Sequence, residues 1–219
     1  MLSKGIISAF LIFHIVGGTT SLVSGFVAML TQKGGKTHRL AGKVYFGGMT
    51  GVFIGAVVVA IAHQNYFLLM VGFFSYYMTV RGYRILSLKK LNAGQKAEIL
   101  DWIITILSGV FILILLIWGV WALTNGVGMG AVALVFGSIG ATFLVNDVRS
   151  FFNPPKEKMH WWYTHIASMG GSYIAASTAF VVVNIQLPQY QWVLWILPSI
   201  IGGILITKTI RKYKVQFAK

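Results

Sequence analysis

The chain has no cysteine and only four acidic side chains among its 219 residues. The absence of cysteine excludes disulfide bonds, thiolate metal ligands and cysteine nucleophiles. So few acids also leave little for a proton relay built from carboxylates. Charged residues make up 10% of the chain and apolar residues 57%, and the mean hydropathy is +0.77. This composition excludes an ordinary soluble protein, because there is too little polar surface to cover one.

The common catalytic motifs are also missing. The sequence contains no Walker motif, no G-x-S-x-G, no H-E-x-x-H and no pair of carboxylates on one predicted helix. Whether the protein is an enzyme therefore stays open.

What the sequence does contain is a series of apolar blocks, each about 20 residues long. A helix needs that length to cross a hydrocarbon core roughly 30 Å thick. The blocks predict an all-α, polytopic transmembrane helical bundle that forms a single transmembrane domain over residues 1–219. The seven predicted spans cover residues 5–31, 42–62, 66–88, 101–124, 129–148, 161–184 and 191–210.

The net charge of +14 falls in the short connections between these blocks. Lysine and arginine follow spans 1, 3 and 5 and fill the C-terminal tail, whereas the connections at 63–66, 125–130 and 186–191 have none. By the positive-inside rule, this alternation predicts an N-terminus outside the cell and a C-terminus in the cytoplasm. The basic excess is thus typical of membrane topology and of contact with anionic lipids on the cytoplasmic face, not of nucleic-acid binding.

Span 2 carries a row of small residues. Gly47, Gly51 and Gly55 recur at every fourth position, so they fall on one side of the helix. Such a row lets another backbone approach closely in a membrane, where apolar side chains give no drive for association. We therefore predict a close helix contact at this face.

Two histidines lie within predicted spans. His14 continues a polar stripe of span 1, and His165 shares a face of span 6 with Ser168 and lies close to Met169. An imidazole that faced lipid would be unsatisfied, so the face of span 1 that carries His14 must point into the bundle. Each could ligate a metal or haem, or only hydrogen-bond across helices.

A polar pocket is predicted near the cytoplasmic end of span 3. Tyr77, Arg81 and Arg84 fall on one face there, and Asp147 ends span 5. Arginines so placed suit a carboxylate, a phosphate or a haem propionate. The predicted pocket residues are Tyr77, Asp147, His38 and Arg39, beside the anion-binding Arg81 and Arg84. The alternative is that these charges only extend toward the membrane surface.

With His14, the stretch HRLAGKVY at 38–45 and the stretch HIASMGGSY at 165–173, the chain resembles the bacterial multi-pass membrane proteins grouped as domain of unknown function 2306. That family has a histidine in the first span, an H-R-x-x-G-x-x-Y motif entering the second, and a late histidine followed by Met at +4 and Tyr at +8. The matching residues here are His14, then His38, Arg39, Gly42 and Tyr45, then His165, Met169 and Tyr173. Ser168 and Gly171 replace the family's usual Trp and Arg at +3 and +6. The resemblance implies a divergent member and supplies no activity.

Two classes of function remain open for this chain, which we expect in the bacterial cytoplasmic (inner) membrane. In the first, the protein binds haem b or a divalent metal through His14 with His165 or Met169, and Arg81 and Arg84 hold anionic groups of the cofactor. In the second, it is a transporter or a non-catalytic accessory or assembly subunit, and the same groups line a cavity. Its assembly into homo- or hetero-oligomers also stays open.

Overall fold

The computed structural model describes residues 3–218, and this part of the chain is helical with no strand. The helices are α1 (Lys4–Leu30), α2 (Lys36–Ala62), α3 (Tyr66–Arg84), α4 (Ile99–Thr124), α5 (Met129–Phe152), α6 (His160–Asn184) and α7 (Gln191–Phe217). A short 3-10 helix, Leu91–Ala93, lies between α3 and α4. The all-α prediction is confirmed, and one helix falls on each apolar block.

Six of the helices in residues 3–218 are long and apolar enough to cross a membrane, which supports a multi-pass membrane protein. The exception is α3, which has 19 residues and whose tyrosines and arginines make it more polar than the others. Seven spans therefore remain a prediction.

The described chain divides into two compact units, and the division falls inside α3. Unit 1 ends at Tyr76 and unit 2 begins at Tyr77. In unit 1, α1 packs against α2. In unit 2, α4 packs against α5, and α7 packs against both α6 and α5. A single domain over the whole chain stays a prediction.

Glycines allow the close contact between α1 and α2. A Cβ atom on Gly55 would lie 2.7 Å from the Cβ of His14 and 2.8 Å from the backbone oxygen of Phe10. One on Gly17 would lie 2.8 Å from the backbone oxygen of Gly48. Such distances are shorter than van der Waals contact, so these backbones meet where only glycine fits.

The predicted glycine row is correct at two of its three positions. Gly55 meets the α1 backbone, and Gly51 faces the Phe13 ring, 3.2 Å from where its Cβ would stand. Gly47 has nothing within 4 Å, and Gly48 joins the contact instead. The reason is helical geometry: every fourth residue advances about 40° beyond a full turn, whereas a step of seven nearly restores the starting direction.

In unit 2, ring contacts and ion pairs join the helix ends that border the basic connections. Trp102 at the start of α4 packs against Phe151 and Phe152 at the end of α5, both at 5.2 Å between ring centroids. Arg84 at the end of α3 bonds to Asp101, near the start of α4. These contacts bring the ends of α3 and α5 to the start of α4.

The start of α6 and the end of α7 meet in the same way. Trp162 packs against Tyr213, with 5.4 Å between the ring centroids. Glu157 pairs with Lys214 at 3.5 Å, and Lys89 lies 4.6 Å from the Trp161 ring centroid. The connections after α3 and α5 and the end of α7 therefore lie at one end of unit 2, which we call the basic end.

Candidate functional site

A buried ion pair, Arg81 with Asp147, joins α3 to α5 near the basic end. Each residue is 7% exposed. Arg81 Nε donates to Asp147 Oδ1 at 2.7 Å, and the Tyr77 hydroxyl donates to Asp147 Oδ2 at 2.7 Å. Arg81 Nη1 also donates to Ser168 Oγ on α6 at 2.5 Å. Both carboxylate oxygens thus have charged or polar partners, as burial of a charge requires.

A cleft of about 630 Å³ opens beside this ion pair. Its walls come from α3, α5, α6, α7 and the connection after α5, and are formed by Arg81, Phe143, Asn146, Arg149, Ser150, Asn153, Pro155, His160, Tyr163, Thr164, Ala167 and Ile210. No acidic side chain is among these residues of the described chain. The walls are therefore neutral or cationic.

Burial places the two arginines of the cleft at different depths. Arg149 is exposed, as are the neighbouring Asn146 and Asn153, whereas Arg81 and Thr164 are buried. The Arg81 guanidinium lies 4.8 Å from the Phe143 ring centroid, so an aromatic face supports it. One cation thus stands at the mouth of the cleft and one at its base.

Arg84 belongs to a second ion pair. Its Nε and Nη2 donate to the two oxygens of Asp101 at 2.9 and 3.1 Å, and Nη2 also reaches Glu98 at 2.8 Å. Asp101 accepts from the Glu98 backbone N–H at 2.9 Å as well, within a capping box that begins α4. The predicted anion-binding Arg84 therefore already holds two carboxylates of its own chain.

A small cavity of about 20 Å³ lies between the two ion pairs. Its polar lining consists of Tyr77, Arg81, Arg84, Asp101, Thr105 and Asp147. A cavity of this size and polarity can hold one water molecule, which needs roughly 10–15 Å³ and two to four polar partners. Both buried carboxylates face it.

The histidines singled out from the sequence bond to backbone carbonyls. His14 Nδ1 lies 2.9 Å from the Val52 oxygen in unit 1, and His165 Nδ1 lies 2.7 Å from the Gly82 oxygen in unit 2. A Cβ on Gly82 would lie 2.7 Å from Met169 Sδ, so Met169 packs directly on this glycine. Within residues 3–218, no group of three or more histidines and acids could hold a metal ion.

The structure brings together part of the predicted pocket. Tyr77, Arg81 and Asp147 bond to one another, and Arg84 borders the same small cavity. His38 and Arg39 lie at the start of α2 in unit 1, where His38 Nδ1 is 2.9 Å from the Ala28 oxygen and Arg39 is exposed.

Several residues of the site were missed in the sequence. Asn146, Arg149 and Asn153 recur at the spacing of one helix face, and this signal could have been used. Glu98 and Asp101 form a capping box in the structure, but their E-x-x-D spacing differs from the usual S/T-x-x-E/Q signature. His160 had no local signal for its place in the cleft, and Ser168 had none for its bond to Arg81, because only tertiary packing brings α6 to α3 and α5.

Comparisons with protein-family models, with curated proteins and with solved structures find no match to this chain. The site is therefore interpreted from its own geometry.

Proposed function

We propose that this chain is a multi-pass membrane protein that binds a small anion, a carboxylate or an oxyanion such as sulfate, in the cleft of unit 2. It acts as a transporter or as a non-catalytic accessory subunit. The observation that carries this proposal is a cleft with one arginine at its mouth and one at its base, and no acid in its walls. Charge-assisted hydrogen bonds from arginine are the strong contacts to such anions.

Arg81 retains hydrogen-bonding capacity for a ligand. A guanidinium has five N–H groups. In the described chain, contacts to Asp147 and Ser168 use one on Nε and one on Nη1, and a further side-chain contact reaches the Tyr77 hydroxyl. The remaining donors, with the amide of exposed Asn146, can surround an oxyanion. Arg149 at the mouth then attracts the anion and shields it from bulk water.

A titration with sulfate at constant ionic strength, followed by tryptophan fluorescence, tests this function in the purified protein. Arg149→Gln is expected to weaken sulfate binding roughly three- to tenfold, because an exposed charge-assisted contact contributes about 1 kcal/mol. Lys212→Gln is the matched control, since it removes an exposed cation of α7 that does not line the cleft. Equal affinities for the two variants would contradict the proposal.

The orientation in the membrane is a further part of the proposal. We place the basic end of unit 2 in the cytoplasm of a bacterium, against the anionic lipids of the inner membrane, with all seven helices crossing the bilayer. The gathering of the basic connections at one end of unit 2 supports this orientation. We also propose a divergent member of the domain of unknown function 2306 group, on the motifs at His14, His38 and His165.

A second candidate function is haem or metal binding through His14 and His165, with Met169 as an alternative ligand. The observation in its favour is that both imidazoles direct Nδ1 to a backbone carbonyl. Ligand histidines are commonly oriented by this contact, which fixes the tautomer that binds metal through Nε2. Arg81 and Arg84 would then contact the propionates of haem b.

Purified protein from cells supplied with iron and a haem precursor tests this candidate. A Soret absorbance band, or stoichiometric metal by elemental analysis, is expected, and His14→Ala or His165→Ala should each abolish it. His63→Ala is the control, because His63 is exposed where α2 ends. Gel filtration must show that each variant remains folded. A colourless, metal-free wild-type protein would exclude the candidate and leave anion binding.

A further inference from the structure

The Arg81–Asp147 pair stands between the two cavities of unit 2. Arg81 lines both the large cleft and the small cavity, whereas Asp147 lines only the small cavity. An anion in the cleft therefore meets Arg81 from one side, while a water molecule can reach Asp147 from the other. The two groups of one buried ion pair are accessible to different species.

Binding of an anion in the cleft would change the net charge around the Arg81–Asp147 pair. The buried pair is neutral, because the carboxylate of Asp147 balances the guanidinium of Arg81. An anion that takes up the free donors of Arg81 would leave the buried cluster with an uncompensated negative charge, which is costly away from water. For a divalent anion such as sulfate, Arg149 at the mouth of the cleft balances one negative charge and a proton on Asp147 balances the other. Resting on the proposed function, we infer that Asp147 is a proton-binding site and that the anion and one proton bind together.

The only covalent change in this step is the transfer of one proton. The Asp147 carboxylate takes a proton from solvent and becomes a carboxylic acid, and the anion replaces it as the charged partner of Arg81. The Glu98 side chain is 63% exposed and bonds to Arg84 on the lining of the small cavity, so the inference assigns the entry of the proton to this end. The proton therefore arrives by a route separate from the cleft.

Other titratable groups face Asp147 from the neighbouring helices. The groups from α3 are Tyr77, Arg81 and, across the small cavity, Arg84. The group from α4 is Asp101, the partner of Arg84. On α5, the helix of Asp147 itself, Arg149 lines the cleft. The start of α6 contributes His160 to the cleft, and α7 contributes only the apolar Ile210. Asp101 is less suited to bind this proton, because Arg84 holds both its oxygens and it does not line the cleft.

Sulfate is the probe for this inference because it does not titrate in the range of about pH 5 to 8 in which the protein is assayed. Wild-type affinity for sulfate is expected to rise about tenfold for each unit by which the pH falls, the limit for one proton taken up per anion. Asp147→Asn, which resembles the protonated acid in shape and charge, should bind sulfate at least as tightly as wild type and lose the pH dependence.

His160 needs its own control, because a protonated imidazole in the cleft would also favour an anion at low pH. His160→Gln should keep the pH dependence. If His160→Gln loses it and Asp147→Asn keeps it, the inference is overturned. Calorimetric titration of wild type in two buffers of different ionisation enthalpy counts the protons directly and does not depend on whether the variants fold. One proton per sulfate supports the inference.

Failure of the inference differs from failure of the proposed function. Saturable sulfate binding without proton uptake would overturn the coupling and leave the anion site intact. Folded wild-type protein that shows no saturable sulfate binding at any pH would overturn both.

Discussion

Replacing Arg81 with methionine is expected to lower the free energy of unfolding by about 3–5 kcal/mol, the usual cost of removing one partner from a buried ion pair. Methionine keeps much of the side-chain volume but provides no donor to Asp147 or Ser168. Asp147, which is 7% exposed in the wild-type protein, would stay buried without its cationic partner. Among the described side-chain contacts, only the Tyr77 hydroxyl would still donate to it. The measurement is unfolding of the purified protein in detergent micelles, followed by circular dichroism.

Arg149→Met is the matched control for this prediction. It removes the same type of side chain from α5, but Arg149 is exposed and its loss should change the free energy of unfolding by about 0.5 kcal/mol or less. A double variant, Arg81→Met with Asp147→Leu, should recover much of the stability, because it removes both charges together. Similar unfolding curves for the two single arginine variants would show that the Arg81–Asp147 pair is not formed in the protein.

The positions of the helices could be predicted from the sequence because hydropathy marks their apolar centres. Blocks of apolar residues bounded by glycine, proline and charged residues predict helices whatever the packing, and each predicted span found a helix. The predicted start of span 2 at residue 42 was late, since α2 begins at Lys36. The charged residues of its first turns lengthen the helix without adding to its hydropathy.

The candidate site could be predicted only in part. Tyr77 and Arg81 share a helix face by spacing alone, and Asp147 is one of only four acids, so their contact was a reasonable expectation. The cleft itself depends on how α5, α6 and α7 pack, and the sequence contains no local signal for that packing. The same holds for Arg84, whose partners come from the start of the next helix.

Reporter fusions to successive connections should be either fully active or inactive, according to the side of the membrane on which each connection lies. A reporter that is active only in the cytoplasm is expected to be active after Lys96 and Lys156 and inactive after Gln64 and Gly128. The reason is that lysine and arginine border the first two sites and are absent around the other two, and positively charged connections remain in the cytoplasm. A second reporter that is active only outside the cytoplasm should give the reverse pattern.

The pair of sites around α3 decides between six and seven spans. At 1.5 Å per residue, the 19 residues of α3 extend about 28 Å, close to the roughly 30 Å of a hydrocarbon core. Its most costly residue for insertion, Arg81, is paired with Asp147 at 2.7 Å, and this pairing reduces the cost of placing the charge within the membrane. We therefore expect Gln64 and Lys96 to lie on opposite sides. Equal activity of one reporter at these two sites would mean that α3 does not cross the bilayer.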